Sequence, residues 1–282
     1  MMPGMYPEQE VTMLSIQTNV AALTAEQNLN INNSFMNQTI TELSSGYRIN
    51  SSADDPAGLE VANQYQANVA ELTQGVANAN DGLSQLQIID GGLSNISTIL
   101  NSLQTLATEA ASDTFTGSLA TVNTQYQDLI GEINNQADNI NLGADNSGLA
   151  KSLNVYIGGN VPSVTVNLSA GKVDATSLGL TGDVSSSGDA ITSIAQIQAA
   201  ISNLGVVQGT VGASENDLNF AINLANSQIT NYSAAEGQIR DADMATEAAN
   251  LTKAQVLQQS TLAAMAQANA APQAILSLLK SS

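Results

Sequence analysis

Apolar residues recur along this chain in rhythms that divide it into elements before any residue is weighed for its chemistry. From Met244 to Leu279 a 4-3 spacing runs through Met244, Ala248, Leu251, Gln255, Gln258, Leu262, Met265, Asn269, Pro272, Leu276 and Leu279. That is the period of about 3.5 residues that keeps one seam of a helix against a partner over many turns. Near the other end Ala22, Leu29, Met36 and Leu43 recur once per heptad, with Ile40 filling the alternate row. Helices with such small, Ala-rich seams are marginal in water when isolated. Each terminal segment therefore needs a partner, in its own chain or in another copy.

Between these ends the pattern predicts a first helical segment from Met13 to about Gly46, a turn over Ser51–Gly58, and a long helix from about Pro56 to Ser112. The seam of the long helix reads Ala62, Tyr65, Val69, Leu72, Val76, Ala79, Leu83, Leu86, then resumes shifted as Ile89, Leu93, Ile96, Leu100, Leu103, Ala107. The shift is a stammer, which overwinds a supercoil locally, and Gly91–Gly92 beside it marks a candidate kink. Asp113–Gly117 punctuates, and a further helix runs from about Leu119 to Asn139. From Leu142 to Asp189 the chain turns to Gly, Ser, Asn and β-branched residues. There Leu153–Ile157 and Val164–Leu168 read as two short strands of a hairpin. A last helix starts near Asp189, runs through Ile194, Ile197, Ile201 and Leu204 past Leu218, Ile222 and Ile229, and loosens at Ser233–Gly237. Pro272 should kink the final turns. The fold class is mainly α: a long antiparallel helical bundle or coiled coil of paired N- and C-terminal segments, with a small β-hairpin at the distal end.

Composition sharpens this picture. Of 282 residues 43% are hydrophobic but only 3% aromatic, which suits slim, close-packed helices better than a pocket-bearing enzyme. The chain has no His, Cys or Trp, which excludes thiolate nucleophiles, His general bases and nearly every zinc site. No cofactor is expected. A net charge of −19 with six basic residues argues against nucleic acid and against anionic lipid as partners. No stretch reaches the roughly 18 uninterrupted apolar residues of a membrane span. The N-terminus has no basic region followed by an apolar run, so it does not read as a secretory signal. Residues 1–12 share no pattern with the rest of the chain, which makes Met13 the expected natural start and the preceding dozen an upstream-start artefact or added remnant.

Certain motifs are more specific. Leu43-Ser-Ser-Gly-Tyr-Arg-Ile-Asn-Ser-Ser-Ala-Asp-Asp-Pro-Ala-Gly58 resembles the N-terminal signature of bacterial flagellins, and Met13-Leu-Ser-Ile-Gln-Thr-Asn-Val20 resembles their usual opening. Gln238-Ile-Arg-Asp-Ala-Asp-Met-Ala-Thr-Glu247, Lys253-Ala-Gln-Val-Leu-Gln-Gln259, Ala266-Gln-Ala-Asn269, Pro272-Gln273 and Leu276-Ser-Leu-Leu-Lys280 resemble the C-terminal half of the same signature. The resemblance covers about 13–140 and 190–280 and lacks the family's variable outer domains, so it implies a core-only flagellin. It implies a secreted subunit that polymerises into the flagellar filament for swimming motility. The domain organisation expected is a non-native or upstream extension over 1–12, the N-terminal half of an inner coiled-coil domain over 13–50, and the N-terminal part of an outer helical rod over 51–141. A hairpin and loop region occupies 142–189, the rod's C-terminal helix 190–238, and the C-terminal half of the inner coiled coil 239–282.

The same residues have a plainer reading. Each of the two arginines sits among aspartates: Arg48 near Asn50, Asp54 and Asp55, Arg240 beside Asp241 and Asp243. Asp54-Asp55-Pro56 reads as an N-cap with proline in the first turn, so helix punctuation and local ion pairing suffice locally. The resemblance adds an interface role at the bend between inner and outer domains. The seam residues Leu29, Met36, Leu43, Leu251, Gln255, Gln258, Leu262, Met265, Asn269, Leu276 and Leu279 are the other polymerisation candidates. Gln255, Gln258 and Asn269 are either tolerated polar residues or register-setting groups between neighbouring subunits.

The resemblance implies partners as well: other copies of the chain, an export chaperone on about 242–282, filament cap and hook-junction proteins, and the flagellar secretion apparatus. Many flagellins carry an Arg-rich stretch read by a vertebrate Toll-like receptor. Here Ser102 and Gln104 stand where those arginines would be, while Leu106 and Glu132 remain, which implies weak recognition. Two alternatives are a hook–filament junction protein and a secreted metalloprotease; the latter needs His ligands that the chain lacks.

Overall fold

The computed structural model describes residues 18–143, 152–159, 163–166 and 171–280, with residues 274–280 by backbone alone. Met13, the first dozen residues, and the side chains of Leu276 and Leu279 lie outside the described residues. The elements run α1 (Val20–Ser45), α2 (Pro56–Ala111), α3 (Leu119–Asn139), β1 (Leu153–Val155), β2 (Val164–Val166), α4 (Ser187–Arg240) and α5 (Met244–Lys280). They gather into two compact units, one of residues up to Asn63 with those from Ala235 onward, the other Gln64–Ala234.

The Gln64–Ala234 unit owes its order to the shifted apolar rhythm. On α2 the buried residues fall at Leu86, Ile89, Leu93, Ile96, Leu100, Leu103 and Ala107, as the sequence pattern predicts. On α4 they fall at Ala190, Ser193, Ile197, Ala200, Leu204, Val207, Val211, Ser214, Leu218 and Ala225. With Val122, Tyr126, Ile133 and Ala137 of α3 these stripes form one continuous core. The expected kink at Gly91–Gly92 is absent as an interruption, since α2 runs unbroken from Pro56 to Ala111. Gly92 instead gives room to the Ile140 side chain, which an added Cβ would overlap. The Ser233–Gly237 patch is also helical throughout. Although α4 is apolar and long enough by composition to cross a membrane, its buried stripe belongs to this core.

The hairpin is shorter than the sequence suggests, with Leu153, Asn154 and Val155 opposite Val166, Thr165 and Val164. Its backbone lies directly on α2: a Cβ at Gly75 would overlap the Ile157 carbonyl, and one at Gly82 would meet the Val155 side chain. The Tyr156 hydroxyl donates to Glu71 at 2.7 Å, and Asn78 Nδ2 donates to the Tyr156 carbonyl at 3.1 Å. Downstream, Val173, Leu178, Leu180 and Val184 are buried in the same core.

In the terminal unit α1 and α5 pack along their lengths. Asn19 contacts Ala268, Asn32 contacts Thr261, Asn33 contacts Gln258, and Gly46 contacts Ala242. As one number rises the other falls, so the pair is antiparallel. Gly46 ends α1 in the left-handed region at φ 75°, its N–H closing on the Glu42 carbonyl at 2.8 Å, the C-cap geometry that glycine adopts without strain.

Candidate assembly surface

The α1/α5 contact selects small residues over large ones. On α1 the row alternate to Ala22, Leu29, Met36 and Leu43 is Ala25, Asn32, Thr39 and Gly46, not Ile40, which is 46% exposed. On α5 the inward stripe is Leu251, Ala254, Gln258, Thr261, Met265, Ala268 and Pro272. The predicted α5 seam therefore splits. Leu251, Gln258, Met265 and Pro272 are partly buried, whereas Met244, Ala248, Gln255, Leu262 and Asn269 face outward. The reason is steric: Ala254, Thr261 and Ala268 let the helix backbones approach, and the larger Leu262 is left outside at 50% exposure. Gln258 Nε2 donates to Asn33 Oδ1 at 2.8 Å and Asn32 Nδ2 donates to Thr261 Oγ1 at 3.2 Å. Of the polar groups in the predicted seam, Gln258 thus bonds within its own chain, while Gln255 and Asn269 are exposed.

A clasp joins the loop after α1 to the link between α4 and α5. Arg48 N donates to the Arg240 carbonyl at 2.7 Å, Ala242 N donates to the Gly46 carbonyl at 2.9 Å, and Tyr47 pairs with Asp241 in an antiparallel bridge. Arg48 Nη2 donates to the Ile239 carbonyl at 2.7 Å, and the Arg240 guanidinium lies 4.3 Å over the Tyr47 ring, within cation–π range. Arg240 approaches Glu236 at 3.8 Å. Neither arginine is paired with a neighbouring aspartate, contrary to the ion pairing read from the sequence; Asp54, Asp55 and Asp243 are instead engaged by backbone N–H groups. Asp54 Oδ2 accepts from Asn50 N, Ser51 N and the Ser51 hydroxyl at 3.0, 2.8 and 3.1 Å. Asp55 Oδ1 caps α2 by accepting from Ala57 N and Gly58 N at 3.1 and 2.9 Å. Asp243 caps α5, accepting from Ala245 N at 2.9 Å and from the Thr246 hydroxyl at 2.9 Å. The Ser51 N–H lowers the Asp54 pKa most, and the Thr246 hydroxyl that of Asp243.

Large apolar side chains remain outside this pairing. Val20, Leu23 and Ile31 on α1 are 65, 62 and 59% exposed, and Val256 on α5 is 57% exposed. Away from the terminal unit, Ser102 is exposed on α2, while Gln104 and Leu106 are half-buried. Glu132 on α3 is held by Gln136 at 2.7 Å and Asn135 at 3.2 Å, and the Gln136 bond chiefly lowers its pKa.

A clasped antiparallel helix pair with large apolar side chains turned outward, and no catalytic constellation among the described residues, defines a structural class of protein. The bacterial flagellin N-terminal helical region matches residues 16–146, and the C-terminal helical region matches residues 194–279. The flagellin of Halalkalibacterium halodurans is 30% identical, over 94% of this chain and 99% of its own length. Escherichia coli flagellin is 34% identical over 65% of this chain, a match that spans only 37% of that longer protein. The crystal structure of Bacillus cereus flagellin gives a TM-score of 0.47 at 26% identity, covering 57% of this chain and 94% of that one. The chain belongs to the bacterial flagellin family. It is a structural subunit of the extracellular flagellar filament, not an enzyme, and nothing in these relationships favours a hook–filament junction protein.

Proposed function

We propose that the outward faces of α1 and α5, with the clasp at Arg48, Asn50, Asp54, Asp55, Arg240, Asp241 and Asp243, form the surface through which copies join in the filament core. The exposed apolar row on both helices carries this reading, since apolar surface outside an intrachain contact favours burial against another copy. On this reading Leu29, Met36, Leu43, Leu251, Gln258 and Met265 hold the pair together, and Gln255, Leu262 and Asn269 meet the neighbour. Leu276 and Leu279 continue the seam. A head-to-tail contact of this kind propagates an open helix instead of closing a ring. Before assembly the same surface needs cover, and an export chaperone on about 242–282 supplies it. The filament cap, the hook-junction proteins and the flagellar secretion apparatus complete the partners.

Negative-stain microscopy after seeding in sulfate tests the surface. Long uniform tubes are expected from the full chain and none after removal of Ala242–Ser282; tubes from the truncated chain would overturn it. We also propose weak recognition by the Toll-like receptor, because Ser102 and Gln104 lack the charge that makes arginine a frequent hot spot. Full-strength signalling in a cell reporter assay at ordinary doses would sink that reading.

A further inference from the structure

We propose that Asn19 and Pro272 are a matched latch that holds the open end of the α1/α5 pair in register, a reading that rests on this pair being the assembly surface. Pro272 sits inside α5. Having no N–H, it leaves the carbonyl four residues earlier, that of Ala268, without its helical donor. Asn19 Nδ2 donates to that carbonyl at 2.7 Å. The other end of the same amide caps α1, its Oδ1 accepting from Ala22 N at 3.1 Å.

One side chain thus meets two demands at once. A serine or aspartate caps a helix about equally well, but an aspartate carboxylate has no proton to give and a serine has one oxygen for both tasks, whereas the Asn19 amide accepts with its oxygen and donates with its nitrogen. The choice of asparagine at the start of α1 is therefore dictated by a proline in the far helix. The clasp at Gly46 and Ala242 fixes one end of the pair. Asn19 stands 27 residues before Gly46 along the chain, about 40 Å away at the helical rise. Between them the bonds Gln258–Asn33 and Asn32–Thr261 bridge the helices midway, while the small residues Ala254, Thr261 and Ala268 of the inward row discriminate poorly between registers one heptad apart. The carbonyl freed by Pro272 is the point in this stretch at which a side-chain donor from α1 replaces a missing backbone donor.

A double-mutant cycle on the full chain tests the latch, with the critical concentration for seeded polymerisation as the readout. Asn19→Ser keeps the cap and removes the donor, and is expected to raise the critical concentration roughly threefold to tenfold, the range of one net hydrogen bond. Pro272→Ala returns an N–H to the Ala268 carbonyl, so the same Asn19→Ser change in that background is expected to have less than half the effect on a logarithmic scale. Asn19→Asp, which keeps length and cap, is expected to behave like Asn19→Ser. Equal fold-changes in the two backgrounds, or no change in Asn19→Ser, would overturn the latch. If Asn19→Ser does not assemble, filaments from the double variant sustain the latch and their absence overturns it. Tubes from a chain lacking Ala242–Ser282 would instead overturn the assembly surface beneath it.

Discussion

The two units solve the same problem, burying helices, with opposite degrees of completeness. In Gln64–Ala234 the side chains of Leu93, Ile96, Leu100 and Leu103 are entirely removed from solvent, and α3 and the hairpin close around them. In the terminal unit the buried positions of α1 are Ala25, Thr39 and Glu42, and Ala254 is the fully buried one among the described side chains of α5. Several of its larger apolar side chains, Val20, Leu23, Ile31, Val256 and Leu262 among them, point outward. One unit closes its core within itself, and the other leaves apolar surface open, which on the proposed reading is covered by copies of itself. Apolar content does not distinguish them, since α2 and α5 are equally apolar on average. What distinguishes them is how much of that content faces the chain's own interior.

The most drastic way to break this contrast is to delete Ala242–Ser282. Filaments should vanish while the thermal unfolding midpoint of the Gln64–Ala234 unit, monitored by circular dichroism, moves little. A collapse of that midpoint would show that the units are not independent in stability. Next is a matched pair of leucines. Leu100→Ala in the closed core is expected to lower monomer stability by about 2–5 kcal/mol in urea titration. Leu262→Ala on the outward face is expected to change it by less than about 0.5 kcal/mol, yet to raise the critical concentration for polymerisation. The reverse assignment would end the comparison. Smaller again is Gly75→Ala, whose new Cβ overlaps the Ile157 carbonyl. Overpacking of this kind costs about 1–3 kcal/mol, and hydrogen exchange should show a loosened hairpin above an intact α2–α4 core.

The smallest effect is the acid response of the terminal unit. Asp54 and Asp243 have pKa values lowered in the folded chain by hydrogen bonds to their charged forms. The stability they contribute is fully present above the unfolded aspartate value of about 4 and is lost as pH falls through the lowered folded values. Filaments should therefore loosen as the medium is acidified below about pH 4, and the Asp54→Asn, Asp243→Asn double variant should show a shallower dependence in a turbidity titration. An unchanged slope would place the acid response elsewhere.

Much of this was readable from spacing. The bounds of α3, the shifted stripe of α2 and the α4 seam can be read directly from where apolar residues recur, because a closed core enforces that rhythm at every turn. The terminal seam was legible only as a period. Choosing Leu262 and Ile40 for the inner rows favours the greasier residue, whereas close helix approach selects Thr261, Ala268 and Thr39. Val173–Val184 reads as loop because its burial has no helical or strand period to announce it. The clasp was visible as charges, but its arginines bind carbonyls and an aromatic face, and nothing in composition assigns an arginine to a carbonyl. Asn19 was invisible for another reason: its meaning lies in a proline at the far end of the chain.

The clasp also has an optical consequence. With no tryptophan and six tyrosines, the chain absorbs and emits in the near ultraviolet chiefly through phenol rings. Of the described tyrosines, Tyr47 lies in the terminal unit beneath the Arg240 guanidinium. Tyr65 and Tyr232, stacked with centroids 5.6 Å apart, lie in the other. Tyr126 and Tyr156 share that unit, and each resists ionisation, the first through burial and the second through its bond to Glu71. A Tyr47→Phe difference spectrum in the ultraviolet would therefore isolate the signal of the clasp, a label-free probe of the terminal unit in free and polymerised subunits.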